Sequence, residues 1–311
     1  MRYISSRIFC KSTAAAIAAA VIIAAAGDTS AKANDRTSRK FRSMARVYMA
    51  YGRYKKAEPL IERAMAAARE GNVSDGELAM CLLDLAGLHK GLQRFEKAEE
   101  ACRLGLKLQK NALYDTHPYV AHTLRILSSI LIERGELRQA DEALRQAETI
   151  MLESHGPLDK AMVPFWVDRA KLSLAQGDTK TAEAFFGKAM DHIMAGYGPR
   201  HLYTAAVMAG IAEMRALQGR LGEADDYIDK AIDIQQRIYG QDNHMITPSW
   251  LTKAGICLAD GNQKEARRLI QKARSAVTET NNPRAMAKFE QRARQLLAGR
   301  PSYGPVAYGR M

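Results

Sequence analysis

The side chains of this chain that could do chemistry are a few thiols, seven imidazoles and a set of guanidinium groups near its start. Four cysteines occur, of which Cys81, Cys102 and Cys257 follow the N-terminal apolar run, and an odd number leaves a thiol over after any single disulfide. The histidines fall in no His-Glu-x-x-His spacing and the cysteines in no Cys-x-x-Cys, so no metal set is assigned and no cofactor is expected. A Gly-rich phosphate loop and a Gly-x-Ser-x-Gly turn are also missing, so no catalytic residue is named and the chain reads as no enzyme. The guanidinium groups are more informative. Arg39, Arg42 and Arg46 lie within 34–56, which holds eight basic residues and one acidic. A guanidinium fork grips a carboxylate through two parallel hydrogen bonds, so this segment could take an acidic partner.

Charge is uneven along the 311 residues. The formal net charge is +12, with +7 in 34–56, +8 in 263–311 and −6 in the long middle, 57–262. The first 33 residues are of another kind. Arg2, Arg7 and Lys11 precede the apolar run Ala14 to Ala26, and Ala31-Lys32-Ala33 offers small residues where a signal peptidase reads. The run is about 13 residues, short of the ~20 that span a bilayer, so the expectation is a signal peptide cleaved after Ala33 and no stable membrane span thereafter. That places the protein outside the cytoplasm, in a bacterial periplasm or secreted; the alternative is tethering by an uncleaved signal.

What must position the arginines emerges from self-similarity. One phrase recurs six times, a small turn followed three residues after its last member by alanine: Gly52-Arg53-Tyr54…Ala57, Gln93-Arg94-Phe95…Ala98, Gly135-Glu136-Leu137…Ala140, Gly177-Asp178-Thr179…Ala182, Gly219-Arg220-Leu221…Ala224 and Gly261-Asn262-Gln263…Ala266. The anchors Tyr54, Phe95, Leu137, Thr179, Leu221 and Gln263 are 41, 42, 42, 42 and 42 residues apart. Nine residues before them stand Ala45, Ala86, Ser128, Ala170, Ala212 and Ala254; seven after them stand Ile61, Cys102, Leu144, Phe186, Ile228 and Ile270. Small residues at fixed points let helix backbones approach, and the second set are apolar knobs. Each unit therefore reads as helix A, a tight turn and helix B. Cys102 then reads as a small core residue, as does Cys257, and Cys81 lies on the same hairpin as Cys102, where a bridge is geometrically conceivable.

This pattern resembles the tetratricopeptide repeat (TPR). Trp166 and Trp250 stand 13 residues before their anchors, where that family carries its tryptophan, and the 42-residue period is similar to the kinesin-light-chain-like subclass. The phrase Tyr48-Met49-Ala50-Tyr51-Gly52-Arg53-Tyr54 carries that likeness, as do His117-Pro118 and His201 in turns between repeats, with a weaker echo at His244. The resemblance implies an all-α, right-handed α-solenoid of six TPR-type helix pairs, with Ala45, Ala86, Ser128, Trp166, Ala170, Ala212, Trp250 and Ala254 in the repeat core. It also implies which helix-A positions face the concave groove: Arg39, Arg42 and Arg46 in the first unit, Lys90 in the second, His122 and Arg125 in the third and Lys171 in the fourth, with small and apolar residues beyond.

The expected organisation is a signal peptide at 1–33, a linker at 34–38, the repeat domain at 39–281, a capping helix at 282–298 and a disordered tail at 299–311. The resemblance implies a protein or peptide partner, and the arginines suit an acidic segment of it. A competing reading makes the first helix a basic cap and the small residues mere packing. Nucleic-acid or anionic-polymer binding through the basic ends is a second alternative, with no nucleic acid expected because no aromatic side chains are interleaved for base stacking. An enzyme accessory subunit is a third.

Overall fold

The structure is a computed structural model that describes residues 34–71, 73–156, 159–196 and 198–298. The expected signal peptide and C-terminal tail lie outside these residues. Among the described residues there are thirteen α-helices and no strand. They run α1 (34–50), α2 (Tyr54–Glu70), α3 (Asp75–Gly91), α4 (Phe95–Ala112), α5 (Pro118–Arg134), α6 (Leu137–His155), α7 (Val163–Ala175), α8 (Thr179–Gly196), α9 (Leu202–Leu217), α10 (Leu221–Tyr239), α11 (Thr247–Ala259), α12 (Gln263–Thr278) and α13 (Pro283–Leu297). The first twelve form six A–B hairpins. Short 3₁₀ turns, Lys160–Met162 and His244–Ile246, introduce α7 and α11.

Every hairpin turns the same way. The residue before the last two of each phrase takes a left-handed backbone, with φ from 60° at Gln93 to 84° at Gly135. In the third hairpin Gly135 donates to Ile132 O (3.1 Å) and Glu136 to Leu131 O (2.9 Å), and the same crossed pair closes the other five. This helix-ending motif satisfies carbonyls that would otherwise be orphaned, and only glycine enters it without a Cβ penalty. Gln93 is the exception among the six.

Small residues then set the interhelix spacing. Ala45, Ala86, Ser128, Ala170, Ala212 and Ala254 have no exposed surface, and neither do Ala57, Ala98, Ala140, Ala182, Ala224 and Ala266. Ser128 fits among alanines because its hydroxyl donates to Ala140 O (2.8 Å) across its own hairpin. The knobs Ile61, Cys102, Leu144 and Ile228 are fully buried, Phe186 is nearly so, and Trp166 and Trp250 sit in the core.

Contacts between hairpins decide the curvature. A helices touch A helices of the next repeat from α3 through α11, whereas no B helix touches another B helix among the described elements. The A helices therefore form the inner, compressed wall and the B helices the outer one, as expected of a curved solenoid.

Two details depart from expectation. Residues 34–38, expected as a linker, belong to α1. The reason lies in their contacts: Asp35 pairs with Arg39 one turn on (2.9 Å), and the fully buried Ser38 donates to Glu77 (3.2 Å) and lies 3.3 Å from Cys81 Sγ. The turn histidines also divide in role. His117 and His201 cap α5 and α9, each accepting through Nδ1 from the backbone N–H two residues on (3.1 Å). Before α11 that task falls to Asn243, which accepts from Met245 N (2.9 Å), and the His244 ring is left for another contact.

Candidate binding channel

The helix-A side chains of the inner wall do not all open onto the channel. Arg42 is buried between α1 and α3: Nε donates to Asp84 (2.7 Å) and Nη1 to Glu77 (2.6 Å), and all three side chains are nearly inaccessible. Arg46 shares Asp84 (2.7 Å) but keeps about half its surface exposed, and Arg39 stays open beside Asp35 and Glu77. Arg125 repeats the arrangement two hairpins on, donating to Asp168 of α7 (2.7 Å) and lying over the Phe165 ring (5.6 Å). The expected grip on an outside carboxylate is, for Arg42, a grip on two inside ones. His122 packs its ring on Phe165 (5.6 Å), and burial lowers its proton affinity, with Arg125 and His155 adding to the effect.

Lys90 and Lys171 differ from the arginines. Lys90 donates to Ser129 Oγ (2.6 Å), and among the described residues no carboxylate stands within 4 Å of it. Burial pushes its ammonium below the ordinary lysine range, only partly offset by Asp168 and Glu133, while Lys171 and Arg125 push the same way as burial. Lys171 is exposed and has no pairing partner among the described residues. The wall thus brings Lys90, Arg125 and Lys171 within electrostatic reach of one another, where Asp168 neutralises only the arginine directly.

α13 packs on the last hairpin, α11 and α12. Its apolar side, Phe289, Ala293 and Leu296, is buried against the last hairpin. One turn apart along the flank of that side stand Lys288 and Arg292, both part-buried. Lys288 bridges to Glu133 at the end of α5 and lies 5.0 Å from the Phe95 ring centroid; Arg292 is 3.8 Å from Glu213 of α9. Burial alone would raise the Glu133 carboxyl, but Lys288, with Lys90 and Arg292 behind it, holds it below the usual range.

The solenoid also meets itself. The first A–B turn abuts the loop leading into the sixth repeat. A Cβ at Gly52 would fall 2.5 Å from the His244 ring, the Tyr54 hydroxyl donates to Met245 Sδ (3.7 Å), and Lys55 Nζ donates to Asn281 O (3.0 Å). A cavity of about 350 Å³ lies along this seam. Burial lowers the proton affinity of His244, against a weaker pull from Glu279.

The remaining chemistry is quiet. Cys81, Cys102 and Cys257 are buried free thiols, so the conceivable Cys81–Cys102 bridge is not formed. Burial raises all three, Cys102 to about 12, which keeps them from the thiolate form that reacts. Among the described residues no group of three or more His, Cys, Asp or Glu could hold a metal, and no helix is long and apolar enough to cross a membrane.

Sequence reasoning missed Glu133, Glu213, Lys288, Arg292 and His244 as a connected set. Glu133 and Lys288 lie 155 residues apart. Only the curvature of the whole stack brings them together, though the i, i+4 spacing of Lys288 and Arg292 was a visible sign of a polar face.

The MalT-like TPR region family matches residues 131–301. A curated relative, Protein KINESIN LIGHT CHAIN-RELATED 1 of Arabidopsis thaliana, is 25% identical over 224 residues, which are 68% of this chain and 36% of the relative. The chain thus spans about a third of that protein's length. Among solved structures, NprR in complex with its cognate peptide NprX superposes with a TM-score of 0.65 at 13% identity, covering 86% of this chain and 74% of NprR. A Rap protein complexed with competence and sporulation factor gives 0.59 at 11% identity, covering 86% and 89%. BtubC (BKLC) from P. vanneervenii gives 0.51 at 17% identity, covering 82% and 92%. At these identities the likeness is one of fold.

Proposed function

The chain belongs to the MalT-like TPR region family, and on that premise we propose that it is a non-catalytic scaffold whose inner channel holds a peptide or protein segment. One observation carries this reading. Lys90 and Lys171 stand on the inner wall without a carboxylate of their own, while the neighbouring Arg42 and Arg125 are neutralised within the fold. A cation pushed down by burial and left unpaired gains from an incoming anion. The partner that fits is an extended segment with an acidic residue at Lys90 and Lys171 and apolar residues toward the small-residue wall of the later repeats. Arg39 and Arg46 remain open at the channel's first end for further acidic contacts. The NprR and Rap structures, solved with peptides, are compatible with such a segment.

The setting proposed is extracytoplasmic, with a role in assembling an envelope or secreted complex. The support is the basic, then apolar, then small-residue order of residues 1–33. N-terminal sequencing of the exported protein should begin at Asn34; a chain recovered with its first residues from the cytoplasm counts against export.

A displayed library of random peptides, panned against the chain, tests the binding reading. Acidic peptides should be enriched, bind more weakly as salt rises, and lose most of their affinity on the Lys90→Glu/Lys171→Glu variant. Peptides that bind both proteins equally would remove Lys90 and Lys171 from the site. No enrichment would end the peptide-binding reading.

A further inference from the structure

A terminal helix that only caps a solenoid needs one apolar side to cover the last hairpin and leaves its polar side in water. α13 meets the first requirement through Phe289, Ala293 and Leu296. Its far side, with Ala287, Gln291 and Arg294, is exposed as a cap requires, but the flank between the two sides is neither apolar nor left in water. Lys288 and Arg292, four residues apart and so on one face, reach three other repeats: Lys288 touches Glu133 and the Phe95 ring, and Arg292 approaches Glu213. Glu133 acts on Lys90 alongside Asp168, and it is Lys288 that dominates the charge environment of Glu133. The helix is joined to α12 by a short turn in which Asn281 has φ 52°, an uncommon backbone for a residue with a Cβ, and Pro283 starts the helix. Lys55 of the first repeat holds that turn by the Asn281 carbonyl.

These contacts share one property: each is a single charged side chain on a partner it does not need for packing. We infer that α13 is an intramolecular occupant of the channel, and that a partner segment enters by displacing it. The inference rests on the peptide-binding reading and narrows it. A displacing segment supplies a Lys or Arg over Phe95 and against Glu133, restoring the charge pairing that the loss of Lys288 would take from this partly exposed carboxylate. Next to that cation it carries the acidic residue that meets Lys90 and Lys171. The partner is thus a segment with a base and an acid close together, and α13 supplies the base in its absence.

Hydrogen–deuterium exchange on the full chain reads the first half of this. In the Lys288→Ala/Arg292→Ala variant, amides of α13 should exchange roughly tenfold faster while those of α5 to α12 stay as in the unmodified chain. A synthetic fluorescent peptide of residues 283–297 reads the second half and should bind the variant roughly tenfold more tightly than the unmodified chain, whose seat is filled. Unchanged α13 exchange overturns the inference. So does faster exchange that spreads through α11 and α12, since α13 is then a structural cap, and so does equal or absent binding of the added peptide. Neither measurement uses an acidic probe. A failure here therefore leaves the selection of acidic peptides at Lys90 and Lys171 to stand or fall on its own result.

Discussion

At the scale of residues, Arg42 shows how a binding motif can become a structural one. Its guanidinium is the type that grips carboxylates, and the α1–α3 interface supplies two, Glu77 and Asp84, each less than a tenth exposed. Truncation strands both acids in a site that water hardly reaches. Arg42→Ala should therefore destabilise the chain by about 3–5 kcal/mol, the cost of breaking a buried ion pair by removing one partner. Chemical denaturation measures it, and a loss below about 1 kcal/mol would show that the acids find water. Residue types in the sequence announced the chemistry of Arg42 but not its direction. Asp84 and Asp168 sit one position out of phase with the arginines of the preceding repeats. An acid does not fill their position in every repeat, so the periodic pattern does not mark them as partners.

Helices and their contacts were far more legible, because the same steric requirement recurs in every hairpin. Six small residues nine before each anchor became six fully buried ones, since a helix pair at close approach has room for nothing larger. Ala212 on α9 is the clearest case for a test, being fully enclosed within the second half of the core. Ala212→Trp should overpack the α9–α10 interface and cost about 3 kcal/mol, at the upper end for an inserted side chain. The melting temperature should fall, and a melt that does not move would put the repeat phase in error. The helical state of residues 34–38 was less legible. This stretch lacks the repeat's apolar spacing, and what holds it in the helix is the Asp35–Arg39 pair and the burial of Ser38 against α3. A fold signal carried by partners some forty residues away does not show in a local pattern.

At the scale of the whole molecule, the property that shapes the channel is closure, and closure was invisible in the sequence because it depends on the sum of the small rotations between successive hairpins. Gly52 and Gly219 allow it to be tested apart from turn strain. Both have left-handed backbones, φ 70° and 75°, so alanine at either costs about 1–2 kcal/mol in its turn. Only at Gly52 would the new Cβ also strike the His244 ring; at Gly219 it would meet nothing. Gly52→Ala should therefore increase the radius of gyration in solution scattering, and Gly219→Ala should not. Equal behaviour of the two would mean the seam does not hold the solenoid closed. The same seam should respond to acid. Burial lowers the proton affinity of His244 from its ordinary 6.5, with Glu279 opposing and Tyr54, Arg53, Lys55 and Asp242 lining the seam. The closed form thus binds fewer protons than the open one, so closure is fully favoured above 6.5 and weakens as pH falls below it. Scattering at about pH 8 and about pH 5 should show expansion at the lower value, and His244→Gln should remove that dependence. If the unmodified chain has the same dimensions at both values, His244 does not govern the seam; if the Gln variant still expands, another group does.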